Sequence, residues 1–86
     1  MKNKNYIKSK QELAENLRLI RSWKGLSQEE IAKVLNVDRS TYAYYELGKT
    51  EPDLLALIKL CGFYEIELTD LVTHEGMEKI KNKMKN

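Results

Sequence analysis

Cysteine, histidine, proline and long apolar runs are scarce in this 86-residue chain, and each shortage excludes a class of protein. One cysteine, Cys61, rules out an internal disulfide framework and a cysteine-ligated zinc site. It falls on an apolar stripe and reads as a packing residue. One histidine, His74, cannot build a nucleophile–base pair or a metal cluster with it, and reads as a surface group at a helix C-terminus. Phosphate loops and dinucleotide-binding glycine patterns are missing. The expectation is no enzyme, with no catalytic residue, no metal and no cofactor. No apolar stretch approaches the roughly 20 residues that span a bilayer. The N-terminus has no apolar run beyond Tyr6-Ile7, so neither a signal peptide nor membrane attachment is expected. A cytoplasmic protein of one small domain follows.

Charge is present but segregated. The formal net charge is +2, yet residues 1–10 hold four lysines (Lys2, Lys4, Lys8, Lys10) and no acid. Residues 77–86 hold four more (Lys79, Lys81, Lys83, Lys85) against Glu78. Between them, residues 11–76 carry seven basic and twelve acidic groups, a balance of −5. Lysine tails of this kind either solubilise an acidic domain or help to hold an acidic target such as DNA.

Strand alternation is also scarce, because apolar residues recur at three- and four-residue spacing. Five helices are expected, an all-α fold. Ser9-Lys-Gln-Glu12 reads as a capping box for the first, which buries Leu13, Leu17 and Ile20 and closes at Gly25. Ser27-Gln-Glu-Glu30 opens the second; Ile31, Ala32 and Leu35 face inward, and Asn36 ends it in the left-handed conformation. Val37 plugs the turn. Asp38 caps the third helix, about 38–47, whose inward residues are Thr41 or Tyr42, and Tyr45; Gly48 ends it. Pro52 and Asp53 mark the fourth, with Leu54, Leu57, Ile58 and Cys61 as its core stripe. Ile66, Leu68, Leu71 and Val72 belong to a connector and a short fifth helix. The chain divides into a basic N-terminal arm (1–8), a helical domain (9–73) and a basic C-terminal tail or extra helical turn (74–86).

Two short helices joined by a tight turn, the second with a small polar face free at its N-terminal end, make the layout of a helix-turn-helix DNA reader. Arg39, Ser40, Ala43 and Tyr44 lie on the side away from Tyr42 and Tyr45. Arg39 suits a guanine, Ser40 several bases, Ala43 a thymine methyl, and Tyr44 a methyl or a phosphate. Phosphate anchoring is expected at the start of the second helix, from Ser27 and Gln28, and beyond the third, from Lys49 and Thr50.

The span from about Leu13 to Val72 resembles the Xre/Cro-type helix-turn-helix family, which includes small phage repressors. Leu19-Ile-Arg21, Gly25-Leu-Ser-Gln28, Ile31-Ala32, Val37-Asp-Arg-Ser-Thr41, Tyr45-Glu46, Gly48-Lys49 and Pro52 carry the resemblance, in order and at matching spacing. It implies a compact, five-helix, lambda-repressor-like domain with its third helix in the groove. It assigns base contact to Arg39, Ser40 and Tyr44, with Ala43 nearby, and phosphate contact to Gln28, Thr41 and Lys49. It makes Arg21 and Glu46 a structural ion pair. The partners it implies are double-stranded DNA and a second copy of the chain in a homodimer on a pseudo-palindromic operator.

Four positions depart from the family pattern. Leu47 and Glu51 weaken the grip on phosphate, while Glu65 and Glu67 stand where better helix-ending and helix-capping residues are usual. Few phosphate contacts per monomer are therefore expected, which makes a second copy useful. Leu68, Leu71, Met77 and Ile80 are candidates for its interface, unless they only complete the monomer core. A rival reading keeps the fold and makes the main partner another protein, such as a toxin, with the chain as antitoxin or adaptor.

Overall fold

Helix punctuation sets the architecture. The computed structural model describes residues 5–85. Six helices follow one another: α1 (Lys10–Lys24), α2 (Gln28–Leu35), α3 (Arg39–Leu47), α4 (Leu54–Tyr64), α5 (Leu68–Leu71) and α6 (His74–Met84). The first five lie within residues 9–73, and the described residues form no sheet, only an isolated bridge between Tyr6 and Thr73.

Each helix ends for a local reason. The Ser27–Glu30 capping box is complete: Ser27 Oγ accepts from Glu30 N and Glu30 Oε1 accepts from Ser27 N. The box on α1 is only half made. Ser9 Oγ accepts from Glu12 N, but the Glu12 carboxylate takes the Lys8 N–H and lies 3.1 Å from His74 Nε2. Asp38 and Glu67 occupy N-cap positions without a side-chain capping bond, so Asp38 does not act as the expected cap. Gly25 and Gly48 close α1 and α3 in the left-handed region. Asn36 and Glu65 do the same for α2 and α4, each at φ 58°.

The core is one cluster. Leu13, Leu17 and Ile20 of α1 meet Ile31, Ala32 and Leu35 of α2, with Tyr42 of α3 wholly enclosed. From α4 come Leu60, Cys61 and Tyr64, and from α5 Leu71. Val37, Tyr45 and Leu57 pack against its edge half-buried.

Three expectations need correction. Leu54 and Ile58 are exposed and are not core residues; α4 turns Leu57, Leu60, Cys61 and Tyr64 inward instead. The helix is apolar nearly all round, so its periodicity carries no phase, and packing against its neighbours decides which face is buried. The C-terminal segment is no tail or single turn but an eleven-residue helix, capped by Thr73 Oγ1 accepting from Gly76 N. Finally, Leu71, Met77 and Ile80, offered either as dimer contacts or as part of the monomer core, are buried within one chain, which favours the second alternative.

Packing crosses both expected segment boundaries. Ile7 N donates to Val72 O and His74 N donates to Asn5 O, both at 2.9 Å, which ties residues 5–8 to the start of α6. Helix α6 packs on α1 and α5. Gly76 permits that approach, because a methyl there would overlap the backbone of Asp70. Lys2 and Lys4 of the expected arm lie outside the described residues.

Candidate nucleic-acid interface

The turn between α2 and α3 needs only Asn36-Val37-Asp38, since Asn36 reverses the chain without strain and Val37 N donates to Ala32 O at 3.0 Å. Burying Tyr42 then fixes the rotation of α3. With that residue inward, Arg39, Ser40 and Tyr44 are exposed, while Thr41 and Ala43 are half-buried. The exposed group gathers at the N-terminal end of α3 and along one side of it.

Beneath this face lies a polar network. Arg21 Nε and Nη2 donate to the two carboxylate oxygens of Glu46 at 2.7 and 3.0 Å, the parallel geometry a guanidinium favours. A third donor, Arg21 Nη1, reaches Leu26 O at 2.8 Å. The Glu46 side chain is 3% exposed and that of Arg21 17%, so the pair is held largely away from water. Burial alone would push the Glu46 carboxyl up, but hydrogen bonds from Arg21 and Gln28 and the adjacent Tyr42 hydroxyl outweigh it and hold it below the usual carboxylate range. Arg21 is correspondingly raised, chiefly by its bond to Glu46.

Gln28 links this network to the surface. Its Nε2 donates to Glu46 Oε1 at 3.1 Å, and its Oε1 accepts from Arg39 Nη1 at 3.3 Å. A continuous path therefore runs Arg21–Glu46–Gln28–Arg39 from α1 through α3 and α2 to the outward guanidinium. Nothing in sequence spacing announces the Gln28–Arg39 bond, which joins residues eleven apart across the turn. The Tyr42 and Tyr64 hydroxyls are buried nearby without a hydrogen bond of good geometry, and burial pushes both phenols up.

At the other end of α3, Gly48 turns the chain so that Lys49 Nζ lies 5.3 Å from the Tyr44 ring centroid, within cation–π range. Lys49 and Thr50 are exposed there, beside the exposed Leu47 and Glu51. Ser27 Oγ is an acceptor in its capping box, but its hydroxyl proton can still be donated. The Gln28 side-chain amide is engaged at both ends, but its Nε2 uses only one of two N–H groups, so it can still donate alongside the backbone N–H groups at the α2 terminus. No group of three or more His, Cys, Asp or Glu among the described residues could hold a metal ion. Among the described residues no helix is long and apolar enough to cross a membrane.

Known proteins resemble this chain in sequence and fold. A helix-turn-helix family model matches residues 16–71. The uncharacterized HTH-type transcriptional regulator YqaE of Bacillus subtilis is 37% identical over 67 residues, which covers 78% of this chain and 58% of the relative. The cryptic phage CTXphi transcriptional repressor RstR of Vibrio cholerae is 33% identical over 75 residues, 84% of this chain and 68% of that protein. A crystal structure of a transcriptional regulator from Listeria innocua superposes with a TM-score of 0.67 at 40% identity, over 70% of this chain and 56% of that one. The chain thus spans little more than half to two thirds of these longer relatives. With the turn and the Arg21–Glu46 ion pair inside the matched residues, the chain belongs to the Xre/Cro-type helix-turn-helix family, whose members named here are transcriptional regulators.

Proposed function

We propose that the chain is a sequence-specific DNA-binding transcriptional regulator that sets α3 in the major groove and binds a pseudo-palindromic operator as a homodimer. One observation carries this reading: Arg39, exposed at the N-terminal end of α3, is braced from beneath by Gln28 and the Arg21–Glu46 pair. A pre-positioned guanidinium at that place suits a guanine edge. Ser40, Ala43 and Tyr44 complete the base-reading face. Ser27, Gln28 (through its backbone N–H), Thr41, Lys49 and Thr50 anchor phosphates on either side.

The acidic middle of the chain limits what one copy can do. Few cations flank α3, so a single domain gains little from counterion release and binds weakly. Two copies on half-sites about one helical turn apart overcome that, which is why the reading includes a homodimer. The relatives named as a repressor and as regulators agree with control of transcription.

Selection from a random oligonucleotide pool at stated salt tests the reading. Enrichment of an inverted repeat that Arg39→Ala abolishes, with the melting temperature kept, is the expected outcome. A pool that stays unselected while the chain captures a protein partner instead would put the antitoxin or adaptor reading in its place.

A further inference from the structure

Helix α4 has the sequence Leu-Leu-Ala-Leu-Ile-Lys-Leu-Cys-Gly-Phe-Tyr, with Lys59 its only charge. A helix apolar all round is normally enclosed on all sides. Here only one side is covered. Leu54 is 60% exposed, Leu55 68%, Ile58 52% and Phe63 42%. Leu54, Leu55 and Ile58 sit at i, i+1 and i+4, on one face turned away from Leu57, Leu60 and Tyr64, with Leu54 at its edge beside Cys61. Gly62 extends that face by one turn and has nothing within 4 Å of where a side chain would begin. No packing inside the chain therefore explains a residue that forms helix so poorly, whereas a flat spot lets another helix approach closely.

We infer that this outer face of α4 is the surface on which a second copy of the chain docks, with the two α4 helices antiparallel across a two-fold axis between Leu55 and Ile58. This deepens the reading above, which brings two copies to DNA. Three features point to a second copy. First, the face is self-complementary, as a two-fold contact requires. Its apolar centre has the acidic Glu51 beyond one end and Lys59 toward the other, so antiparallel pairing sets each Lys59 near Glu51 of the second copy. Second, the size fits a modest dimer. The exposed apolar side chains of Leu54, Leu55 and Ile58 amount to on the order of 300 Å², the size of the largest patch on an ordinary monomer. With the charged rim the contact falls at the small end of specific interfaces, in keeping with a weak, concentration-dependent dimer. Third, the face follows the recognition helix through only residues 48–53, so a contact there fixes one α3 relative to the other.

Sedimentation of the full chain without DNA, from low micromolar to several hundred micromolar, is the test. The wild type should pass from monomer to dimer, while Leu55→Glu and Ile58→Glu stay monomeric with unchanged melting temperatures. Glu51→Lys and Lys59→Glu should each weaken the dimer, and the two together should restore it. On an inverted repeat, Ile58→Glu should lose about tenfold or more in affinity through lost avidity, yet bind a single half-site as the wild type does. A wild type monomeric throughout, or a dimer indifferent to Leu55→Glu and Ile58→Glu, overturns the inference, as does a charge swap without rescue. A chain that dimerises through α4 but selects no DNA sequence leaves the interface standing and removes the DNA reading. A monomer that binds a specific half-site does the reverse.

Discussion

Helices α3 and α4 are neighbours in the chain, of similar length, and each leaves one face uncovered, yet the two faces are made by opposite means. On α3 the outward residues of the first turn, Arg39 and Ser40, are polar and one is tied down: Arg39 is held by Gln28, which is held by Glu46, which is held by Arg21. On α4 the outward residues are Leu54, Leu55, Ile58 and Phe63, apolar groups with no side-chain hydrogen bond to hold them, although Phe63 rests edge-on against Tyr64. A face held by hydrogen bonds has its side chains arranged before any partner arrives, which favours discrimination. A face of aliphatic groups has no such direction and favours adhesion. The difference fits the tasks proposed for the two helices, reading on one and association on the other.

The largest expected effect comes from cutting the network at its centre. Glu46→Ala strands the Arg21 guanidinium, 17% exposed, without its carboxylate. One-sided loss of a buried pair costs about 3 kcal/mol or more. For a domain of this size that lowers the melting temperature by about 15 °C. Scanning calorimetry checks it, and an unchanged transition would remove the structural role of the pair. The pair also has a pH signature. Because the folded carboxyl is held below its ordinary value of 4.5, its stabilisation is complete above that pH and is lost as pH falls through the folded value. The stability gap between wild type and Glu46→Gln should therefore be widest near neutrality and close progressively below pH 4.5. A gap that stays constant down to pH 3 would mean that the charge contributes nothing.

Gly76→Ala comes next and strikes away from both faces. The added methyl meets the Asp70 backbone, which no rotamer change can clear, so α6 must shift from α5. Overpacking of this kind costs about 1–3 kcal/mol. The bridge between Tyr6 and Thr73 and the His74–Asn5 bond should loosen with it, seen as faster amide exchange at His74. Exchange rates equal to those of the wild type would show that α6 tolerates the methyl.

Arg39→Ala isolates the reading face. Its side chain adds no burial, so the melting temperature should hold while discrimination at one base pair of each half-site falls by about 1–3 kcal/mol. Gln28→Ala should weaken the same position less, because it frees Arg39 without removing it. Fluorescence anisotropy on matched and single-mismatch duplexes at fixed salt measures both. Equal losses on every sequence would make Arg39 a phosphate contact and move the reading to Ser40 and Tyr44.

The same contrast explains what could be read in advance. Residues 9–48 were legible because polar and apolar residues alternate there with helical period, and Ser27, Gly25, Asn36 and Gly48 punctuate them. Tyr42 against Tyr44 fixed which side of α3 faced out. In α4 an all-apolar sequence admits any rotation, so Leu54 and Ile58 were misplaced and Leu60 and Tyr64 overlooked. The final helix was under-read because lysines crowd it, although Met77 and Ile80 carry its buried face and Thr73 caps it. Gly76 gave no warning, since only the proximity of Asp70 gives it a purpose. The Gln28–Arg39 bond was hidden for the same reason, being made by the fold rather than by spacing.

The smallest expected effect concerns how α4 ends. Asn36 and Glu65 share the left-handed conformation at φ 58°, but only asparagine adopts it at little cost. Glutamate there brings its Cβ close to the following carbonyl, a strain of about 1–2 kcal/mol that glycine lacks. Glycine gives part of that back by enlarging the freedom of the unfolded chain. Glu65→Gly should therefore gain about 0.5–1 kcal/mol and raise the melting temperature by about 4 °C. Glu65→Ala is the control, because alanine keeps the Cβ and the strain and should gain nothing. The backbone bonds from Glu65 N to Cys61 and Gly62, and the contact of Lys83 Nζ with Glu65 O, survive either change. Equal stabilisation by both variants would locate the cost in the glutamate side chain rather than in the backbone. No change in either would mean that the left-handed conformation of Glu65 costs α4 nothing measurable.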